Sequence, residues 1–334
     1  MRVDEYMQAC HAHPLYGYRH KLDSIGSAGD FVTAPEISQV FGELIGLWSA
    51  VVWETMGRPA PLRLVELGPG RGTLMRDALR AGRAMPAFVA AVSVHLVEVS
   101  EPMRRLQRAA LLGSAAPTWH DTLAEVPAGP SIVIANELLD ALPIRQLVRD
   151  GQAWRERVVA LDPRGGLTFA AGDAVEFKSA VPVSEGAIVE LRAGEDELLA
   201  ALAARAVPCA ALLIDYGPAA PAIGDTLQAV RDHAYTDPLA DPGTADLTAH
   251  VQFAALAGKA RAAGLAADGP ITQAEFLGGL GIVERTARLM AANPSRAAEI
   301  ETATQRLLSP GGMGQLFKAM VVRSPALPAP PPFG

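Results

Sequence analysis

Leu62-Arg63-Leu64-Val65-Glu66-Leu67-Gly68-Pro69-Gly70-Arg71-Gly72-Thr73 is the stretch that decides the fold. Its first half reads as a buried strand, its second as a turn with three alternate glycines, and Thr73 to Leu79 as the start of a helix. Glycine reaches backbone conformations closed to other residues and lets a ligand press against the main chain. A strand, a glycine turn and a helix N-terminus together form the nucleotide-binding corner of an open α/β sheet. The spacing is G-x-G-x-G, not the G-x-G-x-x-G of dinucleotide binders. Glu66 sits two residues before the first glycine. A carboxylate there would repel a pyrophosphate but suits a ligand with an ammonium group, such as S-adenosylmethionine (SAM). A turn that merely needs glycine explains the same residues, so the flanking segments must decide.

Downstream, Val92 to Val99 reads as a second strand with Glu98 near its end. An acidic residue at that place bonds the ribose hydroxyls in nucleotide-binding α/β folds. Glu98 lies 26 residues after Gly72, somewhat beyond the usual ~20, and the Ala-rich stretch 81–91 absorbs the excess. A helix over 101–112 follows, then a short strand at Thr118-Trp119-His120-Asp121 that offers Asp121 to an adenine amino group. Ser131 to Ala135 is an uninterrupted apolar run, as a strand buried on both faces requires. It delivers Asn136-Glu137-Leu138-Leu139-Asp140-Ala141-Leu142-Pro143 to the crevice at the strand ends. Spaced i and i+3, Glu137 and Asp140 would share one side of a helical turn; a solvated, acid-capped helix start is the plainer alternative. Ala210 to Gly217 is another buried strand ending on an acid, Asp215.

Upstream, residues 4–13 fit a short helix. A glycine-dotted loop leads to Gly29-Asp30-Phe31-Val32-Thr33-Ala34-Pro35-Glu36-Ile37-Ser38, where Thr33 can cap a helix running to Gly57. Binding groups commonly sit on such loops, and this one gathers Asp30, Thr33 and Glu36 just before the glycine turn. Beyond the core, 144–191 has hairpin signals at Asp150-Gly151 and Gly165-Gly166 and reads as a β-rich insertion. Residues 219–250 read as a long polar loop, functional or disordered, carrying Arg231, His233, Asp246 and His250 without metal-ligand spacing. Thr272-Gln273-Ala274-Glu275 is a capping box opening a helical insertion over 271–307. The Pro-rich end, 324–334, is expected to be disordered. These marks divide the chain into an N-terminal segment, 1–61, and a core of 62–143 plus 192–323, split by the insertion.

Half of the 334 residues are hydrophobic, so a large core is available, and the net charge of −7 argues against nonspecific nucleic-acid binding. Two distant cysteines give no disulfide framework, and no stretch has the character of a membrane span. A soluble protein of a reducing compartment, the bacterial cytoplasm, is the expectation.

Four segments occur in order: Gly29 to Ser38, Val65 to Gly72, Asn136 to Pro143, and Asp246-Leu247-Thr248-Ala249-His250-Val251. Together the chain resembles the MidA family of SAM-dependent methyltransferases over about residues 4–323, with Leu138 and Leu139 where the family usually carries aromatic residues. The resemblance implies an α/β, class I methyltransferase (Rossmann-like) sheet with helices on both faces. By analogy it also implies symmetric dimethylation of an arginine on a subunit of respiratory complex I. On this reading Glu66, Gly68, Gly70, Gly72, Glu98, Asp121, Asn136 and Thr33 hold SAM. Glu137 and Asp140 handle the acceptor, with Glu36 and Asp215 in support, and Asp30, Arg231, His233, Asp246 and His250 contact the acceptor protein. A small-molecule methyltransferase and a SAM-binding assembly chaperone without turnover remain alternatives, since a fold alone does not fix a function.

Overall fold

The structure is a computed structural model and describes residues 1–18, 32–179, 182–205 and 208–334. It opens with helices α1 (Val3–Ala12), α2 (Ala34–Ile37) and α3 (Gln39–Thr55). The helix expected from Thr33 onward is therefore broken at Ser38, whose extended backbone (φ −150°) ends α2 while its Oγ accepts the Val40 N–H. Thr33 precedes α2 but makes no side-chain cap. Then come β1 (Leu62–Leu67), α4 (Thr73–Gly82), α5 (Pro86–Ala91), β2 (Val92–Val97), α6 (Glu101–Ala110), β3 (Thr118–His120) and β4 (Ser131–Asn136). The Ala-rich excess between the glycine turn and Glu98 is α5.

Four antiparallel strands follow, β5 (Arg145–Asp150), β6 (Ala153–Leu161), β7 (Leu167–Val175) and β8 (Ile188–Leu191). They form a separate sheet in the order β7-β6-β5-β8. The chain returns through α7 (Ala193–Ala203) and β9 (Cys209–Tyr216). Next come β10 (Gln228–Arg231), β11 (Ala234–Thr236) and β12 (Asp246–Thr248), a three-stranded sheet where the sequence suggested a long loop. Its strands are only three or four residues long, too short to show a period. The core finishes with α8 (Phe253–Ala262), β13 (Ala266–Thr272), α9 (Gln273–Gly279), α10 (Ile282–Ala292), α11 (Ala297–Leu308), α12 (Met313–Leu316) and β14 (Phe317–Arg323).

The central sheet runs β13-β14-β9-β4-β1-β2-β3. Strands β1 to β4 and β9 pair in parallel, while β14 runs antiparallel between β9 and β13. Alternate side chains leave opposite faces of a strand. Leu64, Ile132, Ile134, Leu212 and Ile214 therefore pack with α3, α4 and α9 on one face. Val65, Val133, Ala135, Ala211 and Leu213 pack with α7 and α8 on the other. Burial on both faces is why these strands read as continuous apolar runs.

A third core joins Val3, Tyr6 and Met7 of α1 to Ile144 and Val159 of the insertion and to Leu247 and Ala249. The N-terminal segment is thus not one unit: α1 belongs with the two small sheets, and α3 with the central one. The Pro-rich end is ordered. Trp48 donates its indole N–H to the Pro331 carbonyl at 3.0 Å, and Phe333 lies 5.7 Å from Phe276, ring to ring. Apolar side chains spaced among the prolines give this tail something to bury, which its composition alone obscured. Among the described residues no helix is long and apolar enough to cross a membrane.

Candidate active site

The glycine turn is held at both ends. Gly68 donates its N–H to the Val97 carbonyl of β2 at 3.0 Å, and Gly72 N-caps α4 in the left-handed region (φ 82°). Gly68 and Gly70 also have positive φ, 61° and 50°, a conformation that disfavours side chains. A Cβ on Gly68 would stand 2.9 Å from Leu138 Cδ1, so the turn is pressed against the segment that follows β4. Glu66 is 3% exposed and accepts the Met75 N–H, but its Oε2 has no partner. Burial pushes its carboxyl up to about 8.

Glu98 follows β2. Its Oε1 accepts the Ser100 N–H at 2.8 Å and its Oε2 the Gln107 side-chain amide at 3.2 Å. Gln107, fully buried on α6, also donates to the Gly70 carbonyl (2.8 Å) and accepts from the Trp119 indole (2.8 Å). It fixes the glycine turn, Glu98 and β3 relative to one another. Sequence reading passed over it, though a glutamine one turn from Met103 on the buried face of α6 was the available signal. Asp121 stands just past β3, largely exposed, in an ion pair with Arg104 at 2.5 Å.

The segment after β4 is a turn, not a helix, so the shared helical face expected for Glu137 and Asp140 does not exist. Asp215 is the reason. Its Oδ2 accepts the N–H groups of Leu138, Leu139 and Asp140 (3.1, 2.8 and 3.2 Å), and its Oδ1 that of Tyr216 (2.8 Å). Asp215 therefore builds the turn that carries Glu137 and Asp140. Glu137 is forced to φ 53°, where its Oε1 accepts the Ala34 N–H (2.9 Å) and the Asn136 amide (3.1 Å). A non-glycine residue held in that region marks a place where surrounding structure over-determines the backbone. Burial raises the Glu137 carboxyl to about 7, and Asp140 and Asp215 are likewise pushed upward, by burial and then by neighbouring carboxylates. Asn136 Oδ1 and Asp140 Oδ1 are buried without a partner.

Glu36 is not among these acids. It accepts a hydrogen bond from the Thr73 hydroxyl, so it ties α2 to the first turn of α4 while Ala34 ties α2 to Glu137. Thr33 lies beside Glu36 at the entry to α2.

Asp246 does reach the acid cluster, adding to the upward push on Asp140, and it contacts His11 Nε2 at 3.3 Å. His250 meets the Tyr216 ring edge to face at 5.4 Å, and the Tyr216 hydroxyl donates to Thr248 Oγ1 at 2.7 Å. Arg231 and His233 do not join them. Arg231 pairs with Asp241 (3.2 Å) and Thr244 (3.1 Å), and His233 is exposed at the β10–β11 turn. Local hairpin geometry holds both. Asp30 lies outside the described residues. Arg192, which sequence reading missed, is 3% exposed and bonds the carbonyls of Leu139, Ala249 and His250 at 2.9, 2.6 and 2.5 Å. It thereby locks the acid turn to the His250 loop. A cavity of about 520 Å³ opens beside them, lined by Gly217, Thr226, His250, Gln252, Leu316 and Lys318 among others.

Thus the carboxyl ends of β1, β2, β3, β4 and β9 carry the glycine turn, Glu98, Asp121, Asn136-Glu137 and Asp215, the crevice where open α/β sheets bind ligands. A family model of S-adenosyl-L-methionine-dependent methyltransferases matches residues 44–271. The chain is 36% identical over 354 residues to the mitochondrial protein arginine methyltransferase NDUFAF7 of Danio rerio, covering 97% of this chain and 83% of that one. The Homo sapiens protein of the same name is 35% identical over 346 residues, with 94% and 78% covered. The chain belongs to the MidA family of SAM-dependent methyltransferases. A crystal structure of a superfamily member from Burkholderia thailandensis, bound to S-adenosyl-homocysteine, superposes with a TM-score of 0.84 at 28% identity. That match covers 97% of this chain and 87% of the other. SAM is accordingly the cofactor of this MidA-family enzyme. Its residues fit the group: the orphaned buried oxygens of Glu66 and Asn136 lie at the ends of β1 and β4, and a free carboxylate oxygen behind a glycine turn suits an ammonium.

Proposed function

We propose that this methyltransferase acts on an arginine side chain of a protein, forming symmetric dimethylarginine on a subunit of respiratory complex I. The observation that carries the reading is the acid cluster. Glu137, Asp140, Asp215 and Asp246 converge at the ends of β4, β9 and β12; Arg192, which acts on Asp140, is committed to three carbonyls, and Arg306 is the smallest of the influences on Glu137. Buried carboxylates without a cation are costly, and an incoming guanidinium would relieve that cost with bidentate, charge-assisted hydrogen bonds. The relatives named as protein arginine methyltransferases support the same acceptor.

Bound SAM supplies an electrophilic methyl on sulfur for in-line displacement. The chain must hold the acceptor and take its proton, because an arginine stays protonated in water (pKa above ~12) and is then a poor nucleophile. Glu137 and Asp140 orient the guanidinium fork. As the nucleophilic nitrogen gains the methyl it loses one proton, and Glu137, with its carboxyl near 7, is poised to receive it. The Ala34 N–H keeps that carboxylate aimed. In our assignment Glu66, the three turn glycines, Glu98, Asp121 and Asn136 hold the cofactor, and Asp246 and His250 flank the acceptor. Both cysteines are free and buried, which fits a reducing compartment such as the bacterial cytoplasm.

The test replaces Glu137 by Gln and Asp140 by Asn together in cells that lack the native gene. Peptide mass spectrometry should show the arginine methylation present with the native gene reduced by about 10²-fold or more, the scale of acid–base contributions. SAM binding should stay near normal. Intact arginine methylation in the double variant would defeat the assignment. No gene-dependent methylated arginine at all would favour a small-molecule acceptor, for which the 520 Å³ cavity is large enough. Intact complex assembly without methylation would favour a chaperone.

A further inference from the structure

Among the described residues, the insertion sheet ends on β8, which pairs with β5 alone. The pairing sets Val148 opposite Ile188, Leu147 opposite Val189, Gln146 opposite Glu190 and Arg145 opposite Leu191. One step before this run, Arg149 donates its N–H to the Ala187 carbonyl at 2.9 Å. An antiparallel ladder alternates, so Val189 and Leu191 turn their backbone groups toward β5, and Ile188 and Glu190 turn theirs outward. Among the described residues, no backbone group meets that outer edge.

The edge lines a groove of about 1000 Å³. Ala254 and Ala255 of α8 and the segment Pro221 to Gly224 line it too, as do Phe177, Ser179 and Pro182 to Ser184. Ala222, Ile223, Gly224 and Gln252 line this groove and also the 520 Å³ cavity that ends at His250. The two spaces are therefore neighbours along one wall, leading from the β8 edge to the acceptor end of the site. Arg192 lines the groove and bonds the Leu139 and His250 carbonyls, so groove and acid turn share a rigid connection.

We propose that the groove binds the acceptor protein itself, as an extended segment flanking the target arginine that adds a strand to the β8 edge. The inference rests on the protein-arginine reading above. Main-chain hydrogen bonds to Ile188 and Glu190 supply affinity without demanding a particular sequence, as in other strand additions. Continuity with the His250 cavity favours this occupant over a second copy of the chain. A strand laid in the groove leads into the cavity at His250, whose backbone Arg192 ties to the acid turn, whereas a second copy gains nothing from that path.

The experiment starts with the proteome of a strain lacking the gene, methylated in vitro with deuteromethyl-labelled SAM. Mass spectrometry identifies the labelled arginine. A peptide of about 15 residues centred on it is then compared with acetyl-arginine amide as substrate. The native enzyme should favour the long peptide in kcat/KM by at least about tenfold. Ile188→Pro removes one outward N–H and leaves the β5 ladder intact, since proline is tolerated on that side of an edge strand. It should raise the peptide KM by about tenfold, with kcat and S-adenosyl-homocysteine binding unchanged and the small substrate unaffected. Ala255→Trp, on the exposed side of α8, should fill the groove and give the same result without touching the ladder. Hydrogen exchange at the Ile188 and Glu190 amides should slow when the peptide binds. An undiminished peptide advantage in both variants would overturn the groove while leaving the arginine reading in place. Protection of the edge by raising enzyme concentration alone would assign it to a second copy. No labelled arginine from the native enzyme would overturn both.

Discussion

Glu66→Gln tests whether the acid behind the glycine turn reads the ammonium of SAM. In the free chain this carboxyl is raised from 4.5 to about 8 by burial. The native state keeps it protonated over a range where the unfolded chain is ionised. More protons are bound in the native state between those two values, so stability falls as pH rises from 4.5 through about 8. A shift of this size corresponds to a ceiling of roughly 5 kcal/mol. Glutamine keeps the shape and removes the ionisation. Relative to the native chain, the variant should therefore gain about 2–5 kcal/mol between pH ~5 and pH ~8.5, read from urea unfolding. The cofactor side has the opposite sign. An ammonium beside Oε2 favours the carboxylate, so SAM binding below pH ~8 expels a proton and tightens by up to about tenfold per unit from pH ~5.5 to ~7. Calorimetry in buffers of different ionisation enthalpy counts that proton directly. Glu66→Gln should abolish both the slope and the released proton. Equal slopes in native and variant proteins would refute the assignment of Glu66 to the ammonium.

Three further outcomes follow from the same geometry. Glu98→Ala should weaken SAM by roughly 1.5–3 kcal/mol, the range for hydrogen bonds to a charged group. A 2′-deoxy analogue should lose affinity in the native protein only; equal discrimination by both would move ribose recognition elsewhere. Asp215→Asn replaces an acceptor facing three N–H groups with a group that is half donor, so unfolding should cost about 2–4 kcal/mol less. Methyl transfer should fall with it, and a normal rate at unchanged stability would contradict the turn-building role. With Glu137 as proton acceptor, kcat/KM should rise with pH through about 7, the value of the ligand-free carboxyl; a kcat/KM flat from pH ~5.5 to ~8 would exclude it.

The fold of the glycine-turn corner was legible because its information is local. Val65 to Thr73 carries strand, turn and helix start within a dozen residues, and Glu98 follows the next strand. The acceptor half was legible in composition but not in geometry. The acids of 137–140 were visible, yet their arrangement is imposed by Asp215, 75 to 77 residues away in sequence. No helical period could reveal Glu137 at φ 53°. Arg192 is a similar case, since its three acceptors come from residues 139, 249 and 250. The edge strand β13 hid for another reason. Ala266–Thr272 contains Gly269 and Pro270, which read as breakers, and the strand accommodates them with an irregularity between Asp268 and Ile271.

The upward shifts of Glu66, Glu137, Asp140 and Asp215 share burial as their largest cause. A core that merely needed stability would not retain four such groups, because each costs free energy when ionised and brings unpaired oxygens when neutral. Asp215 recovers its cost by organising four N–H groups. The other three keep capacity in reserve: Oε2 of Glu66 and Oδ1 of Asp140 have no partner, and Glu137 is pinned through one oxygen only. A cofactor bearing an ammonium and a sulfonium, with an acceptor bearing a guanidinium, supplies the missing positive charge in three separate places. Each ligand should then lower the proton affinity of the acids at its own site. In our assignment the ammonium of SAM draws the proton from Glu66, and Glu137 keeps its own until the guanidinium of the acceptor arrives. The proton counted on SAM binding should therefore be close to one at pH ~7, and a second should appear only when the acceptor peptide is added.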